Sequence, residues 1–212
     1  MTDFNDSMTI VDAVNAEIGA LNDIILPDEM VISAVQRACD FFNIPEIPVI
    51  NAEGTCVWPG DSTTLEDDVF VCSIGGAARK KCMESIISRG GRFMTIIHKT
   101  ARIGTNVRIG EGNVIAAYTS IGSEASVGNY NLIQSYTVIG HDVKIGDWNR
   151  IDTHVTCVGG TEIKNCADIY TSAVLNHGVV VEDNAHVGAL SFVIRRVKEG
   201  TTVMGNPAKK LM

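Results

Sequence analysis

The chain has 212 residues, 45% of them apolar and 20% charged, with a formal charge of -8. It is long enough for one large or two small hydrophobic cores, and its acidity disfavours nucleic acid as a partner. No apolar run approaches the roughly 20 residues that cross a bilayer, so no membrane insertion is expected.

The six cysteines form no C-x-x-C pair, and the N-terminus lacks the charged-then-apolar layout of a secretory signal. Reduced thiols and a cytoplasmic location are expected.

The first hundred residues read as a small α/β domain, residues 1–97. Met8 to Ile18 and Ser33 to Phe42 have helical periodicity, and Ile47 to Ile50, Val69 to Ile74 and Phe93 to Ile97 read as short strands. Gly75 and Gly76 then open a basic helix, Ala77 to Arg89. A strand, two glycines and a helix N-terminus suit either an anion cradle for a bound acceptor or a tight turn.

A second domain, residues 98–212, keeps a different beat. An aliphatic residue or cysteine recurs at every sixth position, from Ile103, Ile109 and Ile115 through Ile151, Cys157 and Ile163 to Val187 and Val193, sixteen in succession. Two residues before each stands a small or slim one, such as Ala101, Asn113, Thr137, Ala167 and Ser191. Glycine often follows the aliphatic residue, as at Gly104, Gly122 and Gly140, where a tight corner favours it. One large and one small inward residue per six predicts a triangular parallel β-helix with three hexads per coil. Sixteen hexads make a little over five coils of about 4.8 Å rise, with residues 18 apart stacked in one row.

His141, His154, His177 and His186 all lie within the repeat, and none takes an inward position. His141 and His177 share a row two coils apart with Gly159 between them, which predicts a shallow notch flanked by two imidazoles. Imidazole is suited to removing a proton near neutral pH, and the neighbouring Asp142 carboxylate fixes its tautomer and raises its basicity. His141 is therefore the candidate general base. Cys157 is on the inward row, where a thiolate nucleophile is disfavoured.

Four blocks occur in order along the chain: Asp68-Val-Phe-Val-Cys-Ser-Ile-Gly-Gly-Ala-Ala-Arg-Lys-Lys, Ile96-Ile-His-Lys-Thr-Ala, Ile139-Gly-His-Asp-Val-Lys-Ile-Gly-Asp and Val203-Met-Gly-Asn-Pro-Ala-Lys. Together they resemble the hexapeptide-repeat sugar O- and N-acyltransferases of the sialic acid O-acetyltransferase and bacillosamine N-acetyltransferase type, over residues 68 to 212. The resemblance implies a left-handed β-helix and a homotrimer with acetyl-coenzyme A between neighbouring prisms. The reaction it implies is acetylation of an amino or hydroxyl group of a nucleotide-linked sugar, an amino sugar for a surface glycan.

By the same resemblance His141 is the catalytic base and Asp142 its acidic neighbour. Arg150, Thr171 and Ala189 contact acetyl-coenzyme A, and Gly159 follows the same groove; Arg150 replaces a histidine often found there. By its position at the domain junction His98 either lines the acceptor site or packs the hinge, and the pair Gly75 and Gly76 are candidates for the acceptor side. No metal is expected. The family's usual opening strand and G-A-x-G-H-G loop, which help hold the nucleotide of a sugar substrate, have no counterpart before the first helix.

Two other readings share the pattern. A γ-carbonic-anhydrase-like lyase would bind zinc through His141 and His177, with Glu182 or His186 completing the set. A non-catalytic trimeric scaffold would need only the prism. Lys80, Lys81, Arg195 and Arg196 are either phosphate contacts or solvated charges, and His154 is a surface or groove-lining residue.

Overall fold

The structure is a computed structural model. It describes residues 49–50, 56–58, 69–70, 72, 77–88 and 90–211. The chain divides into two compact units, Met1–Phe93 and Met94–Met212. The helices expected at Met8 to Ile18 and Ser33 to Phe42, and the Gly75-Gly76 turn, lie outside the described residues.

In the first unit Val49–Ile50 pairs antiparallel with Cys56–Trp58, and Val69–Phe70 pairs parallel with Arg92–Phe93. A parallel pair needs a crossover connection, and the helix Ala77–Ile87 lies within it. Arg79, Met83 and Ile86 recur on one side of that helix and are buried, as helical spacing requires.

The strand expected over Phe93 to Ile97 is divided. Arg92–Phe93 completes the first unit's ladder, whereas Ile96–Ile97 pairs with Val114–Ile115 and starts the second unit. The hexad rhythm thus begins at Ile97, one step before Ile103.

The second unit is a parallel solenoid of two-residue strands with three faces. The first face runs from Ile96–Ile97 through Leu132–Ile133 and Arg150–Ile151 to His186–Val187. The second runs from Arg102–Ile103 through Val138–Ile139 to Phe192–Val193, and the third from Arg108–Ile109 through Lys144–Ile145 to Val180–Val181. Paired residues are 18 apart, as in Val138 with Thr156 and Lys144 with Glu162. This is the parallel β-helix that the hexad pattern predicts, in the left-handed form that the resemblance implies.

After Val193 the spacing tightens. His186 pairs with Thr202, 16 residues on, and the antiparallel strands Thr202–Gly205 and Ala208–Lys210 extend the first face.

From Ile115 onward the inward positions are filled as the pattern requires, whereas Ile97 and Ile103 in the first coil are exposed. Ile115, Ile121, Ile133, Ile139, Ile151, Ile163, Ile169 and Leu175 are fully or almost fully buried, with Ala125, Val155, Ala167 and Ala185 beside them. Asn113, Asn131 and Asn149 are buried too, and form an internal ladder. Asn131 Nδ2 donates to Asn113 Oδ1 at 3.0 Å and to Gly146 O at 2.9 Å, while Asn149 N–H donates to Asn131 Oδ1 at 2.8 Å. Corner amides that the strands leave unpaired are thereby satisfied, which buried polar groups demand.

The glycines next to the aliphatic residues have a different cause from the one expected. None of Gly104, Gly122 and Gly140 has positive φ. A Cβ on Gly122 would instead lie 2.6 Å from His141 N, and one on Gly140 would lie 2.7 Å from Gly159 N. These glycines admit the backbone of the next coil. The left-handed corner falls two residues later and recurs at every sixth position, where it holds Tyr118, Tyr136, Asp142, Trp148 and His154 among others.

Candidate active site

His141 and Asp142 form the corner between the second and third faces. Asp142 takes the left-handed conformation, with φ 57, a region that aspartate tolerates better than most residues. This turns its carboxylate back to His141, and His141 Nδ1 lies 2.7 Å from Asp142 Oδ2. The carboxylate accepts the Nδ1 proton, so Nε2 carries the free lone pair. Both side chains project into solvent, with 69% and 63% exposed.

The neighbouring coil contributes Gly159 and Gly160 to the same corner, and the next contributes His177. Gly160 N–H donates to His141 O at 2.9 Å, and Gly178 N–H to Gly159 O at 3.3 Å. The notch expected over Gly159 is not open: a Cβ there would meet the His141 ring, 2.5 Å from Nε2. His177 reaches the same step from the other side, with its Cε1 3.5 Å from where a Gly160 Cβ would stand.

Arg150, Thr171 and Ala189 lie elsewhere. Thr171 and Ala189 are exposed on the corner between the first and second faces, in one longitudinal row, and Arg150 lies on the first face leading into that corner. Arg150 is also committed within its chain: Nε donates to Asp152 Oδ1 at 2.7 Å and Nη2 to Oδ2 at 3.2 Å, over the Tyr170 ring. Burial opposes its charge, yet the hydrogen bonds and charge of Asp152, with Asp168 beyond, hold the guanidinium above its ordinary value. A guanidinium neutralised in this way is a weaker contact for an anionic cofactor than an unpaired one.

His98 is buried at the start of the solenoid, and its Nδ1 accepts from Thr100 N–H at 3.2 Å. It lies on the first face's end of the first coil, not on the His141 corner. His154 continues a stack missed in the sequence: Tyr118 on Tyr136 at 5.0 Å and Tyr136 on His154 at 5.0 Å. The signal was present, since the three are 18 apart.

The zinc set is not assembled. Glu182 pairs with Arg196 at 3.1 Å, and His186 Nδ1 faces Asp168 Oδ2 at 3.1 Å on the first face, at an angle too poor for a hydrogen bond. Among the described residues no three ligating side chains come together to hold a metal.

Burial pushes the Cys157 thiol up to about 12, so it stays protonated at neutral pH. Iodoacetamide is expected to leave Cys157 unmodified in the folded protein at pH 7, as peptide mapping by mass spectrometry will show.

Among solved structures, the chain resembles a histidine-to-asparagine mutant of perosamine N-acetyltransferase from Caulobacter crescentus, in complex with CoA and GDP-perosamine. The two are 25% identical over 63% of this chain and 64% of that one, with a TM-score of 0.61. WeeI from Acinetobacter baumannii AYE is 28% identical over 63% and 65% of the respective chains, also with a TM-score of 0.61. The structural neighbours of this chain thus include sugar N-acetyltransferases. UDP-N-acetylglucosamine O-acyltransferase (LpxA) from Moraxella catarrhalis RH4 is 25% identical over 56% of this chain and 54% of that one, with a TM-score of 0.53.

The chain spans less than two thirds of the length of each of these proteins. No family model matches it, and no curated protein does.

Proposed function

We propose that this chain is an acetyl-coenzyme A-dependent transferase that acetylates an amino or hydroxyl group of a nucleotide-linked sugar. His141 Nε2 takes the proton from the acceptor as its nitrogen or oxygen attacks the thioester carbonyl. The C–S bond then breaks, and coenzyme A leaves as its thiol after protonation by solvent. No acyl-enzyme is formed, in keeping with a Cys157 thiol that burial keeps protonated.

The observation that carries this reading is the His141–Asp142 pair. It is a tautomer-fixed, outward-facing base on a solenoid whose structural relative was crystallised as a histidine mutant with CoA and a nucleotide sugar.

The active unit in this proposal is a homotrimer. On one prism His141 and the row of Thr171 and Ala189 occupy opposite edges of the second face, so one chain does not bring them together. The outward strand residues of that face after Arg102 are Ser120, Val138, Thr156, Val174 and Phe192, with no charge among them. Tyr118 and Tyr136 stand half-exposed at its edge. An uncharged face with an aromatic rim suits packing against another prism. A head-to-tail arrangement that closes as a ring sets the His141 edge of one copy against the cofactor edge of the next. The described residues include no helix long and apolar enough to cross a membrane. The proposed setting is the cytoplasm, with the product destined for a surface glycan.

The test is thiol release from acetyl-coenzyme A against a panel of nucleotide-linked amino sugars and their hydroxyl counterparts. Release that depends on one acceptor is expected. Silence across the panel, with no coenzyme A binding by calorimetry, would contradict the proposal.

A further inference from the structure

We infer that Gly159 is a positioning residue for the transfer reaction, and that its missing side chain is the berth in which the His141 imidazole lies. The inference rests on the reading of His141 as the base. A Cβ on Gly159 would stand 2.5 Å from His141 Nε2, 2.7 Å from Cε1 and 2.9 Å from Cδ2. All three nearest atoms belong to the imidazole. The ring is therefore held on two sides, by the Asp142 carboxylate at Nδ1 in its plane and by the bare Cα of the next coil against its face near Nε2.

Backbone geometry does not account for this glycine. Gly160 takes the left-handed corner at φ 71, but Gly159 does not have positive φ. Nor is it one of the glycines that admit a neighbouring backbone, since those directly follow the inward aliphatic residue. Gly159 stands two places after Cys157, and from Thr105 to Ala189 every other residue two places after an inward aliphatic residue carries a side chain. The exception falls one coil from His141, in its own longitudinal row.

The consequence is a placement of the reaction. With Nδ1–H committed to Asp142, the lone pair on Nε2 lies in the plane of a ring stacked over the Gly159–Gly160 step, which His177 borders from the opposite side. The acceptor's N–H or O–H has to reach Nε2 there, and the thioester carbonyl has to lie beside it. A methyl group on Gly159 would rotate the ring away from that position. It would leave the backbone untouched, because a Cβ contact under 3.0 Å must displace something and the imidazole is the movable partner.

The experiment compares Gly159→Ala, His141→Ala and the double variant by thermal melting, by NMR titration of the His141 ring and by steady-state kinetics. Gly159→Ala is expected to shift the His141 titration and to lower kcat by about 10- to 100-fold. KM for acetyl-coenzyme A should stay within about twofold. In the His141→Ala background the same change should cost nothing further, and the double variant should melt with His141→Ala. A Gly159→Ala protein that misfolds while the double variant folds also supports the berth.

An unshifted His141 titration, or misfolding of both proteins, would overturn it. If His141→Ala keeps full activity, the base assignment fails, and the NMR titration still decides whether Gly159 seats the ring.

Discussion

His141→Ala is expected to lower acceptor-dependent transfer by about 10²- to 10⁴-fold in kcat, the range that a positioned general base contributes. KM for acetyl-coenzyme A should change little, because proton removal strengthens only in the transition state. Asp142→Asn is expected to be milder. The His141–Asp142 contact is short, 2.7 Å, but both partners are about two-thirds exposed. Solvent-exposed ion pairs contribute about 1 kcal/mol or less, which corresponds to about fivefold. Steady-state rates of the three proteins at one pH check the order. An Asp142→Asn loss equal to that of His141→Ala would mean that the carboxylate does more than orient the ring.

Asn131→Ala is expected to be the most destabilising small change in the solenoid, by about 3 kcal/mol or more. The side chain is fully buried and joins three coils. Its loss leaves the Asn149 N–H and the Gly146 carbonyl without their bonds at 2.8 and 2.9 Å, and opens a cavity beside Ile133 and Ile151. A buried donor or acceptor left unmade costs about 1–3 kcal/mol each. Denaturant unfolding at fixed protein concentration measures the loss, since assembly would otherwise shift the midpoint. A change below about 1 kcal/mol would show that the ladder is dispensable.

The solenoid was legible because a hexad imposes burial on fixed positions. Ile133, Ile151 and Cys157 must point inward in any triangular coil, and they do. The outward histidines followed from the same constraint, and the pairing of His141 with a carboxylate from its adjacency to Asp142.

What the repeat could not convey was the direction of side chains at the corners. Row counting placed Gly159 between His141 and His177 but not the imidazole lying over it. Arg150 read as an acetyl-coenzyme A contact because its partner Asp152, two residues further on, enters no motif. The corner glycines read as turn residues, although neighbouring coils only about 4.8 Å apart are what exclude a Cβ there. Ile97 was assigned to the first unit because a two-residue strand has no periodicity of its own.

The most direct test of direct transfer by this solenoid is to incubate the protein with isotope-labelled acetyl-coenzyme A and a nucleotide-linked amino sugar, and to weigh both protein and sugar by mass spectrometry. The label is expected on the sugar alone, and only when the wild-type protein and the acceptor are both present. Label on the protein, or on a sugar treated with His141→Ala as fast as with the wild type, would contradict the account.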